Sequence, residues 1–129
     1  MNPVKAFNIP APDMQKACVL YKSVFDWNIM EIVGSGGNYH FAVTTPRDED
    51  GEPLSKGAIN DGLFQEGTHG INETFLELTV ESIDCCVSKA VSTGGRIVIE
   101  KKLMNGSHFF AIIQDPEGNY LGPWEEERE

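Results

Sequence analysis

Glu77 is the side chain that the sequence places best to do chemistry. It stands in Phe75-Leu76-Glu77-Leu78-Thr79, a carboxylate with apolar neighbours on both sides. Such a setting raises a carboxylate pKa and suits the group to act as a general base. The plainer alternative is a carboxylate at an open rim, or one paired with Lys or Arg. His40 and His108 lie in the apolar runs Tyr39-His40-Phe41-Ala42-Val43 and Ser107-His108-Phe109-Phe110-Ala111. Either can line a ligand cavity, although a half-exposed strand histidine is commoner than a catalytic one. His69 falls in Gln65-Glu66-Gly67-Thr68-His69-Gly70 and is expected in solvent. The three histidines and the three cysteines (Cys18, Cys85, Cys86) lack metal-site spacing. Cys18 and Cys86 fit helix core stripes and have no base nearby to make either a nucleophile. Near the end, Tyr120, Gly122 and Trp124 alternate along one strand and therefore face one side. Aromatic rings there suit a flat apolar or aromatic ligand, or simply fill space.

The elements that must hold these residues follow from periodicity and turn chemistry. Val4 to Ile9 reads as a strand stopped by Pro10-Ala11-Pro12. Asp13 caps a helix whose apolar positions are Met14, Ala17, Cys18, Tyr21, Val24 and Phe25. Strands follow at Trp27 to Val33, Tyr39 to Thr44 and, weakened by glycines, Gly57 to Phe64; a charged loop from Thr45 to Lys56 separates the last two, and its Arg47 to Lys56 part is expected to be solvated, with a lid as the rarer alternative. After the Gln65 to Gly70 linker the same order returns. Thr74 to Val80 is a strand, Ser82 caps a helix with the stripe Ile83, Cys86, Val87, Ala90 and Val91, and Gly94-Gly95 ends it. Arg96 to Glu100, Ser107 to Ile113 and Tyr120 to Trp124 are strands; Asn105-Gly106 turns between the first two and Asp115-Pro116-Glu117-Gly118-Asn119 between the last two.

The return is a repeat. A shift of 69 residues (75 − 6) lays Ala6 on Phe75, Asn8 on Glu77, cap Asp13 on cap Ser82, Gly37 on Gly106 and Phe41 on Phe110 without a gap. A shift of 60 (122 − 62) brings Gly62-Leu63-Phe64 onto Gly122-Pro123-Trp124. The chain is thus expected to be α+β, a single domain of two βαβββ units at about residues 1–66 and 71–129.

Composition limits the partners. A net charge of −10 argues against nucleic acid, whose phosphates demand a basic surface. No run of residues approaches a membrane span, and the N-terminus lacks an apolar signal region, so the expected address is cytoplasmic with free thiols. Adjacent Cys85 and Cys86 fit disulfide geometry poorly. Glu125 to Glu129 reads as a solvated acidic tail.

A tandem βαβββ repeat closing on Asp115-Pro116-Glu117-Gly118-Asn119 resembles the vicinal oxygen chelate superfamily, the glyoxalase/bleomycin-resistance/dioxygenase group. Phe7-Asn8-Ile9-Pro10-Ala11-Pro12-Asp13, Ala17, Tyr21 and Val24-Phe25-Asp26-Trp27 resemble its opening strand, helix and tight exit. The resemblance implies a curved, half-barrel mixed sheet with helices outside, a cavity on the sheet, and commonly a homodimer. In enzymes of the group a metal held by His and Glu acts as a Lewis acid on two neighbouring substrate oxygens. Its places carry over to Ala6, Phe75, Gly122 and a fourth-strand place at or next to Gly62, with Asp61 adjacent; Ala, Phe and Gly have no donor side chain. No metal and no cofactor are therefore expected. The implied cavity face carries Asn8 and Glu77 beside Ala6 and Phe75, with Tyr120 and Trp124 opposite. The expected function is metal-independent binding of a small molecule, aromatic or, given the acidic charge, cationic. The alternative is a lyase or isomerase of the glyoxalase I type on a small oxygenated substrate, with Glu77 as base.

Overall fold

A computed structural model describes residues 1–104 and 107–127 of the 129-residue chain. The elements run β1 (Val4–Ala11), α1 (Met14–Phe25), β2 (Asn28–Glu31), β3 (Tyr39–Val43), β4 (Asp61–Gln65), β5 (Phe75–Thr79), α2 (Ile83–Ser92), β6 (Arg96–Met104), β7 (His108–Gln114) and β8 (Tyr120–Glu126). The order is βαβββ twice, as the repeat predicts. Two compact units result: Ala6–Thr74, and Met1–Lys5 with the chain from Phe75 onward. The first residues join the second half partly through the Thr79 N–H, which donates to the Pro3 carbonyl at 3.0 Å. No described helix is long and apolar enough to cross a membrane.

In the Ala6–Thr74 unit the strands lie in the order β2-β3-β4-β1. β1 runs parallel to β4, and the other pairs are antiparallel. Asp13 accepts from the Lys16 N–H at 3.1 Å and starts α1; Asp26, in the left-handed region at φ 57°, ends it. One sheet face packs on this helix: Ile29, Ala42 and Leu63 with Phe7, Ile9, Met14, Cys18, Tyr21 and Trp27. The helix stripe is only partly covered, for Val24 and Phe25 stay 63% and 56% exposed.

Several strand ends differ from the pattern expected. β1 continues through Pro10, because its partner β4 still pairs Pro10 with Phe64 and Ala11 with Gln65. β2 loses Trp27, whose ring stacks on Tyr21 at 4.9 Å instead. β4 starts only at Asp61. The Asn60 side chain before it accepts from the Thr44 and Thr45 N–H groups at 2.7 and 3.3 Å, and Asp61 takes φ 123°, a region L-residues rarely adopt. The charged loop is not open chain: Arg47 bridges Pro53, and the Leu54 N–H donates to the Pro46 carbonyl at 2.8 Å.

In the other unit the order is β5-β8-β7-β6, with β5 parallel to β8. Ser82 accepts from the Cys85 N–H at 3.2 Å to cap α2, and Gly94 at φ 98° lets the chain leave it. Val80, Ile83 and Ala111, with Cys86, Val87 and Phe109, pack the sheet on the helix. Burial pushes the Cys18 and Cys86 thiols up, which keeps them protonated and inert. β8 runs on to Glu126, so Glu125 is no solvated tail. Its carboxylate accepts from the Ile83 N–H at 2.6 Å, the first turn of α2, and lies 3.8 Å from Lys101. Asn105-Gly106 and the last two residues of the expected tail lie outside the described residues.

The Asp115 turn is closed by its own carboxylate. Oδ1 accepts from the Glu117 and Asn119 N–H groups, both at 2.9 Å, and Gly118 takes φ 92°. Those bonds, chiefly from Asn119, hold the Asp115 pKa below its ordinary 3.8. A depressed carboxylate contributes stability that is complete above the unfolded value and is lost as pH falls through the folded one. Asp115→Asn is therefore expected to lower Tm at pH 6 and to flatten the decline of Tm below pH 4, followed by circular dichroism.

Candidate functional site

Strand register decides which side chains share a face, because paired residues project to the same side. In the Ala6–Thr74 unit, Asn8 pairs with Gly62 and Gly62 with Phe41, a row on the side away from α1. The next row on that side is Pro10, Phe64 and Tyr39. Asn8 is 6% exposed, and its Nδ2 is buried without a hydrogen-bond partner among the described residues. A Cβ built on Gly62 would meet Asn8 Oδ1 at 3.0 Å, so the amide lies over the glycine.

His69 is a correction to the expectation of a solvated linker residue. It is 9% exposed; its Nε2 lies 2.9 Å from the Tyr39 hydroxyl, and its ring sits 5.3 Å from that of Phe64. Local composition gave no sign of this, since the partners are 30 and 5 residues away. His40, expected as a ligand-contacting residue, lies on the other side. It pairs with Leu63, which belongs to the cluster on α1, and so sits on the opposite face from Asn8. The repeat contains the signal: a shift of 69 lays His40 on Phe109, a helix-side residue, and Tyr39 on His108.

In the unit from Phe75 onward, Glu77 pairs with Gly122, Thr79 with Trp124, and Trp124 with Phe110. Phe75, Glu77, Tyr120, Gly122, Trp124, Phe110 and His108 thus share the face away from α2. His108 stacks on Trp124 at 4.9 Å, and the Lys5 ammonium stands 4.2 Å from the Trp124 ring centre. Burial, assisted by the Lys5 charge, holds the His108 imidazole below its usual pKa, so at neutral pH it is an uncharged ring. Glu77 is half-buried there.

The places that would hold a metal do not fit one. Ala6 and Phe75 have no donor and are 1% and 2% exposed. A side chain at Gly62 must displace Asn8, and one at Gly122 would start 3.1 Å from the Phe75 ring and 3.3 Å from Phe110. Among the described residues no three His, Cys, Asp or Glu side chains gather into a possible metal site.

With this geometry in view, comparison with known proteins places the chain. A family profile described as Glyoxalase/Bleomycin resistance protein/Dioxygenase superfamily matches residues 4–122, and the chain belongs to that superfamily. Comparison with curated proteins yields no match. The fold is similar to that of a glyoxalase/bleomycin resistance protein/dioxygenase superfamily member from Vibrio splendidus 12B01, with TM-score 0.63 and 11% identity over 98% of this chain and 100% of that one. It is also similar to methylmalonyl-CoA epimerase from Mycobacterium tuberculosis (TM-score 0.62, 15% identity, 97% and 88% covered). A third likeness is to the Mn(II)-bound glyoxalase from Novosphingobium aromaticivorans (0.61, 12%, 95% and 38%). At such identities these likenesses speak for the fold alone.

Phe75 and Phe110 are buried at 2% and 5% exposure and have little freedom to yield. Gly122→Ala is accordingly expected to cost about 1–3 kcal/mol by overpacking. Phe75→Leu in the same chain should recover part of that loss, a coupling that urea denaturation of the two single variants and the double variant measures.

Proposed function

We propose that this protein binds a small flat molecule without the help of a metal, on the sheet faces turned away from its helices. The observation that carries this reading is the half-buried stack of His108 on Trp124 beside Gly122, since Phe75 and Phe110 are themselves buried. Phe75 and Phe110 close on the glycine, and Trp124 with His108 continues the same face, where a metal-dependent relative would need donor side chains. Apolar walls with a few placed polar groups are what small-ligand sites are made of. A thermal-shift screen with divalent metals, glutathione conjugates and polycyclic aromatics tests it. Aromatic compounds should raise Tm through mass action, whereas metals alone should not. Stoichiometric binding of a divalent metal that raises Tm would sink the proposal.

A second reading is a lyase or isomerase of the glyoxalase I type with Glu77 as base. It is favoured by one observation: Glu77 stands across from Gly122 on the ring-lined face. Should a compound from the screen be turned over, Glu77→Gln must abolish that turnover for this reading to stand.

The protein is also proposed to pair with itself through α1. Leu20, Val24 and Phe25 are 52%, 63% and 56% exposed along that helix, an apolar strip that water covers poorly. Light scattering should show a dimer that Leu20→Glu combined with Val24→Glu converts to monomer. A monomeric wild-type chain at micromolar concentration would refute the pairing.

A further inference from the structure

We propose that the row formed by Asn8, Gly62 and Phe41, with Arg47 above it, recognises an anionic oxygen group, such as a carboxylate, on the flat ligand. This rests on the binding reading above and deepens it, and it reverses the expectation of a cationic ligand. Three observations carry it.

The first is the orphaned amide. Asn8 Nδ2 is buried and donates to nothing among the described residues, in a side chain only 6% exposed. Buried donors are nearly always satisfied, and one that is not points to an acceptor that arrives from outside the chain. The second is the row beside it. Adjacent strands are about 4.8 Å apart, so Asn8 and Phe41 stand about 10 Å apart with only a glycine between them. The Asn8 amide covers the buried glycine, so the half-buried Phe41 ring is the part of the row on which a ligand ring can rest.

The third is the cation. The Arg47 guanidinium lies 4.9 Å from the Phe41 ring centre and forms no ion pair among the described residues. The nearest acid in sequence, Asp48, is occupied in its own turn, accepting from the Asp50 and Glu52 N–H groups at 2.9 Å each. The loop thus holds a planar, permanently charged fork over an aromatic ring without neutralising it. Such a fork matches a carboxylate through two parallel hydrogen bonds and repels a ligand cation. The loop also carries Asp48, Glu49, Asp50 and Glu52, and none of them forms an ion pair with Arg47 among the described residues.

The test uses three probes of one shape: 1-naphthoate, 1-naphthalenemethanol and 1-naphthylmethylammonium. Each is titrated into the full-length protein labelled with ¹⁵N and followed by amide and side-chain resonances. Naphthoate should move the Asn8 side-chain NH₂, the Gly62 N–H and the Arg47 signals, and should bind about tenfold tighter than the alcohol. Arg47→Met, at an exposed loop position, should erase that preference while the fold persists by circular dichroism. Asn8→Ala should weaken naphthoate more than it weakens the alcohol. Tighter binding of the ammonium would overturn the proposal, and is what the Asn8 amide would give if turned over to present its oxygen. So would naphthoate binding that Arg47→Met leaves intact. If none of the three probes binds and the aromatic compounds of the wider screen also leave Tm unmoved, the binding reading itself falls; if neutral aromatics bind without a preference for the acid, only this inference does.

Discussion

The contact of Phe75 and Phe110 with Gly122 governs the second half of the chain. The two rings can close on β8 only because position 122 has no side chain, and a Cβ there would stand 3.1 Å from one and 3.3 Å from the other. Close packing of this kind is unforgiving, since interiors have no slack to absorb an extra methyl group. The same glycine is aligned with Glu77 across the parallel β5–β8 pair, so the carboxylate and the rings share one face by register. Gly62 plays a similar part in the first half, where the Asn8 amide lies over it. In both places a glycine in the last strand lets a neighbour from another strand cover the position a metal-holding residue would need.

This gives the superfamily membership a specific physical content. The family profile spans residues 4–122 and the likeness to solved structures covers nearly the whole chain, yet the positions that would make a Lewis-acid site are occupied by groups that cannot donate. A scaffold does not dictate chemistry; the side chains on its faces do. Here those faces carry aromatic rings, a neutral imidazole, a half-buried carboxylate, and two cations, Lys5 and Arg47, each set over a ring.

The polar contacts outside the site are organised around helix starts and turns. Asp13, Ser82 and Glu125 each satisfy N–H groups that a helix leaves open, and Asp48 and Asp115 each close a loop with two bonds to their own backbone. The acidic surplus is thus partly structural. That explains how a chain of net charge −10 can still present donors on a sheet face.

Local physics made much of the fold readable. Both helix caps, the Asp115 turn and the doubled βαβββ order follow from short-range side-chain to backbone bonds and from periodicity, which a sequence displays directly. The sequence left His40 and His108 alike as cavity residues; only the structure, by showing that Phe109 is helix-side, gives the 69-residue shift of His40 onto Phe109 its meaning. Strand ends were less readable, because Pro10 and Asn60 are settled by partners 15 or more residues away. His69 and Glu125 looked solvated for the same reason: their partners, Tyr39 and Ile83, lie 30 and 42 residues off. Which residues repeat, cap and turn was determined by the sequence alone. Which of them meet, and so whether a glycine is a gap or a seat for a ring, was decided only when tertiary packing brought distant strands into register.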